Sequence, residues 1–147
     1  MRRIFADSSV IIAGAFSRTG ASRAILSLAE IGLFQLVVSR QVLDESERNL
    51  RNKLPAGLVT FTQLLTSTNL HVVDDPPLTE TARWLPHIEA KDAPILAAAV
   101  LEKVDRLLTL NPKDFTVQVA KVSGLTIQLP GEFMRELRTL VTEGLQT

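Results

Sequence analysis

Five short apolar runs, each followed by a stretch of helical character, divide this chain of 147 residues. They are Arg3-Ile-Phe-Ala, Phe34 to Val38, Leu70-His-Val-Val, Arg106-Leu-Leu-Thr and Leu125-Thr-Ile-Gln. Runs this short, bounded by polar or turn residues, read as buried strands. Between them lie helical segments: Ser8 to Phe16, a helix capped by Ser22, residues 40–53 capped by Ser39, and Leu58 to Leu65. Further helices are expected near 78–88 and 92–103, over most of Lys113 to Val122, and from Gly131 to Thr142. Capping residues and apolar spacing of three and four positions carry these assignments. The alternation predicts an α/β domain with a mainly parallel sheet of about five strands, covered on both faces. The length fits one domain over residues 1–147. In such sheets ligands gather beyond the carboxyl ends of the strands, near the switch in strand order. The residues just after each strand are therefore the ones to weigh.

Composition removes several chemistries. There is no cysteine, which excludes disulfides, iron–sulfur clusters, thiolate zinc sites and a cysteine nucleophile. The two histidines, His71 and His87, are too few for a three-histidine zinc site. His71 falls in an expected strand and reads as structural; His87 follows Pro86 and reads as a cap. The longest apolar candidate for a membrane span, Ile4 to Phe16, is too short and is interrupted by Asp7. The expected location is cytoplasmic. Sixteen basic and sixteen acidic residues cancel overall, but residues 1–54 hold eight Lys/Arg against five Asp/Glu, and residues 55–110 hold four against seven. A basic stretch of chain followed by an acidic one is compatible with a nucleic-acid ligand that the total charge does not reveal.

Asp7 follows the first strand directly. Glu45 lies on the helix after the second, on one face with Val42 and Asn49. Asp92 opens the helix Lys91-Asp-Ala-Pro, whose proline suits a first turn, and Asn111 and Asp114 lie just past the fourth strand. Each has an ordinary explanation by itself: a cap for Asp7, Asp92 or Asp114, a solvated helix face for Glu45. Together they say more. Clustered carboxylates repel one another and are costly to desolvate, and a divalent cation removes that cost. Oxygen ligands without cysteine suit Mg²⁺ or Mn²⁺, which can activate water and neutralise charge on a phosphoryl group.

Four stretches occur in the order found in PIN-domain ribonucleases, and the chain resembles that family from Arg3 to about Leu129. They are Asp7-Ser-Ser-Val10, Ser39-x-x-Val42-x-x-Glu45, Lys91-Asp-Ala-Pro-Ile-Leu-Ala-Ala-Ala99 and Thr109-x-Asn111-x-x-Asp114-Phe115. The segment Glu45 to Pro55 is similar to a toxin-like PIN subgroup, the VapC-type toxins. The resemblance implies a three-layer α/β/α fold and a Mg²⁺- or Mn²⁺-dependent endoribonuclease leaving a 5′-phosphate and a 3′-hydroxyl. It makes Asp7, Glu45 and Asp92 the metal-binding acids and Asp114 the fourth, with Ser9 and Thr109 as hydrogen-bonding neighbours. It further implies an RNA substrate, an antitoxin partner covering the cleft, and a homodimer that the apolar terminal helix with Phe133, Leu137, Leu140 and Val141 could serve. One departure is Asn111, where many PIN domains carry an acid; its amide offers a carbonyl oxygen but no charge.

Lys91 and Arg48 are the basic residues placed best for phosphate, with Arg18, Arg23, Arg51 and Lys53 as further candidates. Aromatic residues make up 5% of the chain, too few for a broad base-stacking platform. Two rivals stand beside the nuclease. Asn111 is compatible with a PIN-like module that binds RNA or protein without cleaving. A phosphatase would use Asp7 as nucleophile but would want an acid where Ser9 stands. The stretch Gly14 to Ser22 falls short of a phosphate-binding loop, because Ala21 occupies the position that needs lysine.

Overall fold

The computed structural model describes residues 2–146. Its five strands are β1 (Arg3–Ala6), β2 (Gln35–Ser39), β3 (His71–Val73), β4 (Arg106–Leu108) and β5 (Ile127–Gln128). They form one sheet in the order β3-β2-β1-β4-β5, and all four pairings are parallel. β1 therefore lies at the centre, and the apolar strands either side of it are buried on both faces: Ile4, Phe5, Leu36, Val37, Leu107 and Leu108 exclude solvent completely.

Between β1 and β2 lie α1 (Ser8–Phe16) and α2 (Ala21–Glu30). Between β2 and β3 lie α3 (Arg40–Lys53), a 3₁₀ turn at Pro55–Gly57, and α4 (Leu58–Ser67). These four helices pack on one another. α5 (Leu78–Ala82) and α6 (Ala93–Leu101) pack together between β3 and β4. The direction of travel across the sheet reverses there, so right-handed connections place them on the opposite face. α7 (Val117–Ser123) precedes β5, and α8 (Pro130–Gln146) returns to pack on α2. α1 and α6 are apolar nearly all round because each is covered by the sheet and by its neighbours. Gly14 permits the close crossing of α1 over α2: a Cβ there would sit 2.7 Å from the Leu26 side chain and 2.9 Å from the Ser22 carbonyl.

The expected elements are all present, with corrected boundaries. Ser39 caps α3 as expected, accepting from the Val42 N–H at 3.3 Å. Ser22 does not cap α2. The helix starts after Gly20, at φ 97°, and Ser22 is buried in its first turn. The helix expected over 78–88 ends at Ala82 and gives way to turns, within which Trp84 is buried. α7 begins at Val117, because Thr116 caps it by accepting from the Val119 N–H at 3.2 Å, so residues 112–114 form a turn. α8 splits the apolar stripe expected on it: Phe133 is fully buried against Phe34, ring centroids 5.5 Å apart, whereas Leu140 and Val141 are exposed. His71 is structural, its Nδ1 lying 2.8 Å from Arg3 Nη2; arginine has only donors, so Nδ1 is the acceptor.

Candidate active site

The switch in strand order falls between β1 and β4, and the chain places Asp7 just beyond one and Thr109 just beyond the other. Asp7 is only 3% exposed. Its Oδ1 accepts from the Ser9 hydroxyl and, at 3.4 Å, from the Val10 N–H; its Oδ2 accepts from the Thr109 hydroxyl at 2.6 Å. Ser9 Oγ in turn accepts from the Leu110 N–H at 3.0 Å, and Thr109 Oγ1 from the Asn111 N–H at 3.0 Å. The two hydroxyls thus lock the turn after β4 to the carboxylate after β1. Burial pushes the Asp7 carboxyl above its ordinary range, opposed by these hydrogen bonds.

A cleft of about 430 Å³ opens beside Asp7, lined by Ser8, Glu45, Arg48, Lys91, Asp92, Asn111 and Asp114 among others. Glu45 reaches it from α3, one turn below the buried Val42. Its Oε2 accepts from the Ser8 hydroxyl at 3.1 Å and its Oε1 from the Gln41 amide at 2.9 Å. Across the cleft, carboxylate oxygens of Glu89, Asp92 and Asp114 all lie within 4.8 Å of one another. Lys91 Nζ stands 3.9 Å from both Glu89 and Asp114.

Asp92 is the informative member. It immediately precedes α6, but its side chain caps nothing, and its Oδ2 is buried without a hydrogen-bond partner. Burial, then the charge of Asp114, with smaller contributions from Asp7 and Glu89, raises its pKa to about 6 against the opposing Lys91. A buried, unpaired carboxylate oxygen among other acids is what a cation would complete. The donor set, all oxygen and mostly carboxylate, fits a hard divalent ion.

Of the residues expected from sequence, Glu45, Asp92, Asp114, Asn111, Lys91 and Arg48 line one cleft, and Asp7 lies beneath it with Ser9 and Thr109. Asp7 and Glu45 are not members of the tight three-acid group. Asp92 occupies the N-cap position of α6 but its side chain makes no capping hydrogen bond, and Asp114 caps no helix, whereas Asp7 does cap α1 by accepting from the Val10 N–H. Among the further basic candidates, Lys53 lines the cleft, while Arg51 pairs with Glu47 on the exposed face of α3. Arg23 is a strut, donating to the carbonyls of Gly14 and Ala15 and to the Thr60 hydroxyl. Reading the sequence missed Glu89 and Asn52, and it placed Asn49 on the face of Glu45 without assigning it to the site. Asn49 and Asn52 follow Glu45 at i+4 and i+7 on α3, a spacing that could have flagged them.

An all-parallel α/β sheet with a carboxylate-lined cleft at its switch point places acidic side chains where such sheets bind their ligands. The chain belongs to the PIN-domain family, whose profile matches residues 3–113. PIN domains are nucleases, and that is the coarse class of this protein. Comparison with curated proteins found no match. Among solved structures the fold is similar to VapBC2 from Rickettsia felis, bound to a DNA fragment from their promoter, at 13% identity and TM-score 0.64, covering 86% of this chain and 98% of that one. It is similar to PAE2754 from Pyrobaculum aerophilum at 17% identity and TM-score 0.63, covering 91% and 88%. It is also similar to Mycobacterium tuberculosis VapC20, a sarcin–ricin loop cleaving toxin, at 18% identity and TM-score 0.53, covering 71% and 86%.

Proposed function

We propose that this protein is a Mg²⁺- or Mn²⁺-dependent endoribonuclease and the toxin of a toxin–antitoxin pair. The single observation that carries the reading is the buried, unpartnered Oδ2 of Asp92 within a group of converging acids. Asp7, Glu45, Asp92 and Asp114 would hold the cation, with Glu89 at the rim. When bound, the ion supplies an activated water and neutralises charge on the phosphoryl group. The chain's own residues do the rest. Ser9 and Thr109 hold the Asp7 carboxylate, and Ser8 holds Glu45. Arg48, Lys53 and Lys91 bring positive charge to the same cleft for the phosphates of the substrate. Asn49, Asn52 and Asn111 bring amides that donate and accept, which suits unpaired bases and 2′-hydroxyls.

The likeness to VapC20, a toxin that cleaves the sarcin–ricin loop, supports RNA as the substrate class, and the likeness to VapBC2 supports an antitoxin partner. No helix among the described residues is long and apolar enough to cross a membrane; the proposed place of action is the cytoplasm. Exposed Leu140 and Val141 on α8 are the surface offered for a homodimer, which light scattering tests.

The test incubates labelled RNAs with the protein and Mn²⁺, Mg²⁺ or EDTA, beside Asp7→Asn. Cleavage that requires metal and disappears in the folded variant is expected. Full activity in Asp7→Asn overturns the assignment. A second reading, a non-cleaving RNA- or protein-binding module, draws on the uncharged Asn111 in the cleft. Calorimetric titration separates the two, since that module has no need to bind Mn²⁺ at millimolar concentration.

A further inference from the structure

The acids of the cleft come from separate segments, and their spacing must be held by something. One side is fixed: Ser9 and Thr109 tie the turn after β4 to Asp7. The other side joins α3, which carries Glu45, to the turn at 89–92, which carries Glu89 and Asp92. Among the described residues, one side-chain hydrogen bond spans that gap. The Gln41 amide nitrogen donates to Glu45 Oε1 at 2.9 Å and to the Lys91 carbonyl oxygen at 3.1 Å. A primary amide has two N–H groups, so both bonds can form at once. Gln41 is itself anchored at the start of α3, where its backbone N–H donates to Asp75 Oδ1 at 3.0 Å.

We infer that Gln41 is a positioning residue that sets the separation of the Glu45 and Asp92 walls and orients Glu45 for the cation. This rests on the cleft being the cation site. One amide proton fixes the carboxylate on its own helix; the other fixes the backbone of Lys91, the residue before Asp92. Such outer hydrogen bonds to ligating carboxylates commonly govern metal affinity by about tenfold or more. Because Ser8 donates to the other oxygen of Glu45, the carboxylate is held at both ends, and among the described residues Gln41 alone couples it by a side-chain hydrogen bond to the opposite wall.

The experiment titrates Mn²⁺ into wild type and Gln41→Met by calorimetry and records thermal midpoints of both without metal. Met matches Gln in length, keeps helix propensity, and has no donor. The expected result is a loss of Mn²⁺ affinity of about tenfold at an almost unchanged thermal midpoint, with cleavage restored at saturating Mn²⁺. Gln41→Leu carries the same test where Gln41→Met does not fold. Unchanged Mn²⁺ affinity in a folded variant overturns the role of Gln41 while leaving the cleft reading intact. No Mn²⁺ binding by wild type overturns the cleft reading, and this one with it.

Discussion

The two ends of the parallel sheet handle charge in opposite ways. At the amino ends of β1 and β4 every carboxylate involved meets a partner. Glu136 of α8 accepts from Arg106 at 2.6 Å, Arg2 at 2.9 Å and Gln128 at 2.9 Å, which holds its carboxyl down at about 2. Arg3 reaches Glu102 at 2.7 Å, and its backbone N–H donates to Asp105 at 2.7 Å. At the carboxyl ends of the same strands the acids outnumber their cations. Asp92 has an oxygen that meets nothing, and its carboxyl is pushed up to about 6. One end closes its electrostatics within the chain; the other leaves them to be completed from outside. A sheet whose strands all point one way keeps these two tasks apart, so stability can be built at one end without disturbing the chemistry at the other.

Breaking the open end should produce the largest effect. Asp92→Asn removes a charge that is unmet without metal and a donor that the cation needs. Cleavage should fall by about a thousandfold or more, comparable to deleting a principal electrostatic group from an active site. The metal-free protein should meanwhile hold or gain thermal stability, because a repelling charge has gone. Scanning calorimetry beside a cleavage assay checks both. A marked loss of stability together with activity would make Asp92 a structural residue and erase the contrast between the ends.

The contrast was only half legible in the sequence. The strand–helix alternation and the acids after the strands point to a parallel sheet with an acidic cleft, because buried strands and their exits carry local signals. The cap at Ser39 was equally readable, since its side chain serves a backbone group three residues on. Ser22 misled because the same residue type also tolerates burial inside a helix, and α2 starts instead from a glycine at positive φ. Arg23 counts as surface charge in any composition, yet it binds two carbonyls nine and eight residues away. Glu89 stands in a turn with no periodicity to mark it, and Gln41 is an ordinary first-turn residue until the 89–92 segment folds against it. These are contacts between distant segments, and no local pattern encodes them.

A smaller effect is expected at the closed end. Glu136→Ala deletes the acceptor shared by Arg2, Arg106 and Gln128, which are only partly exposed. The loss should be on the order of 1–2 kcal/mol, at the lower side for charged hydrogen bonds because solvent screens the group. Mn²⁺ affinity should not change, since no described side chain of α8 lines the cleft. Denaturant melts and metal titration of this variant sharpen the comparison. A change in metal affinity would mean that the two ends are coupled through β4.

The smallest effect is the pH dependence of the metal-free protein, where the two ends should pull in opposite directions. Glu136 is lowered from 4.5 to about 2, so its contribution is present above about 4.5 and is lost as pH falls towards 2. Asp92 is raised from 3.8 to about 6, so the folded state binds the proton more tightly than the unfolded one. Its contribution is full below about 3.8 and is lost as pH rises through 6. Stability should therefore climb from pH 2 to about 4 on account of Glu136 and decline modestly from about 4 to 6 on account of Asp92, whose partial exposure limits the size. Mn²⁺ binds the ionised carboxylates and should remove the decline, because its affinity rises over the same interval in which Asp92 loses its proton. Thermal melts across this range, with and without Mn²⁺, read both limbs. In Asp92→Asn the decline should vanish while the acid limb stays, and in Glu136→Ala the reverse. If one substitution flattens both limbs, the ends of the sheet do not titrate independently, and the division of labour between them fails.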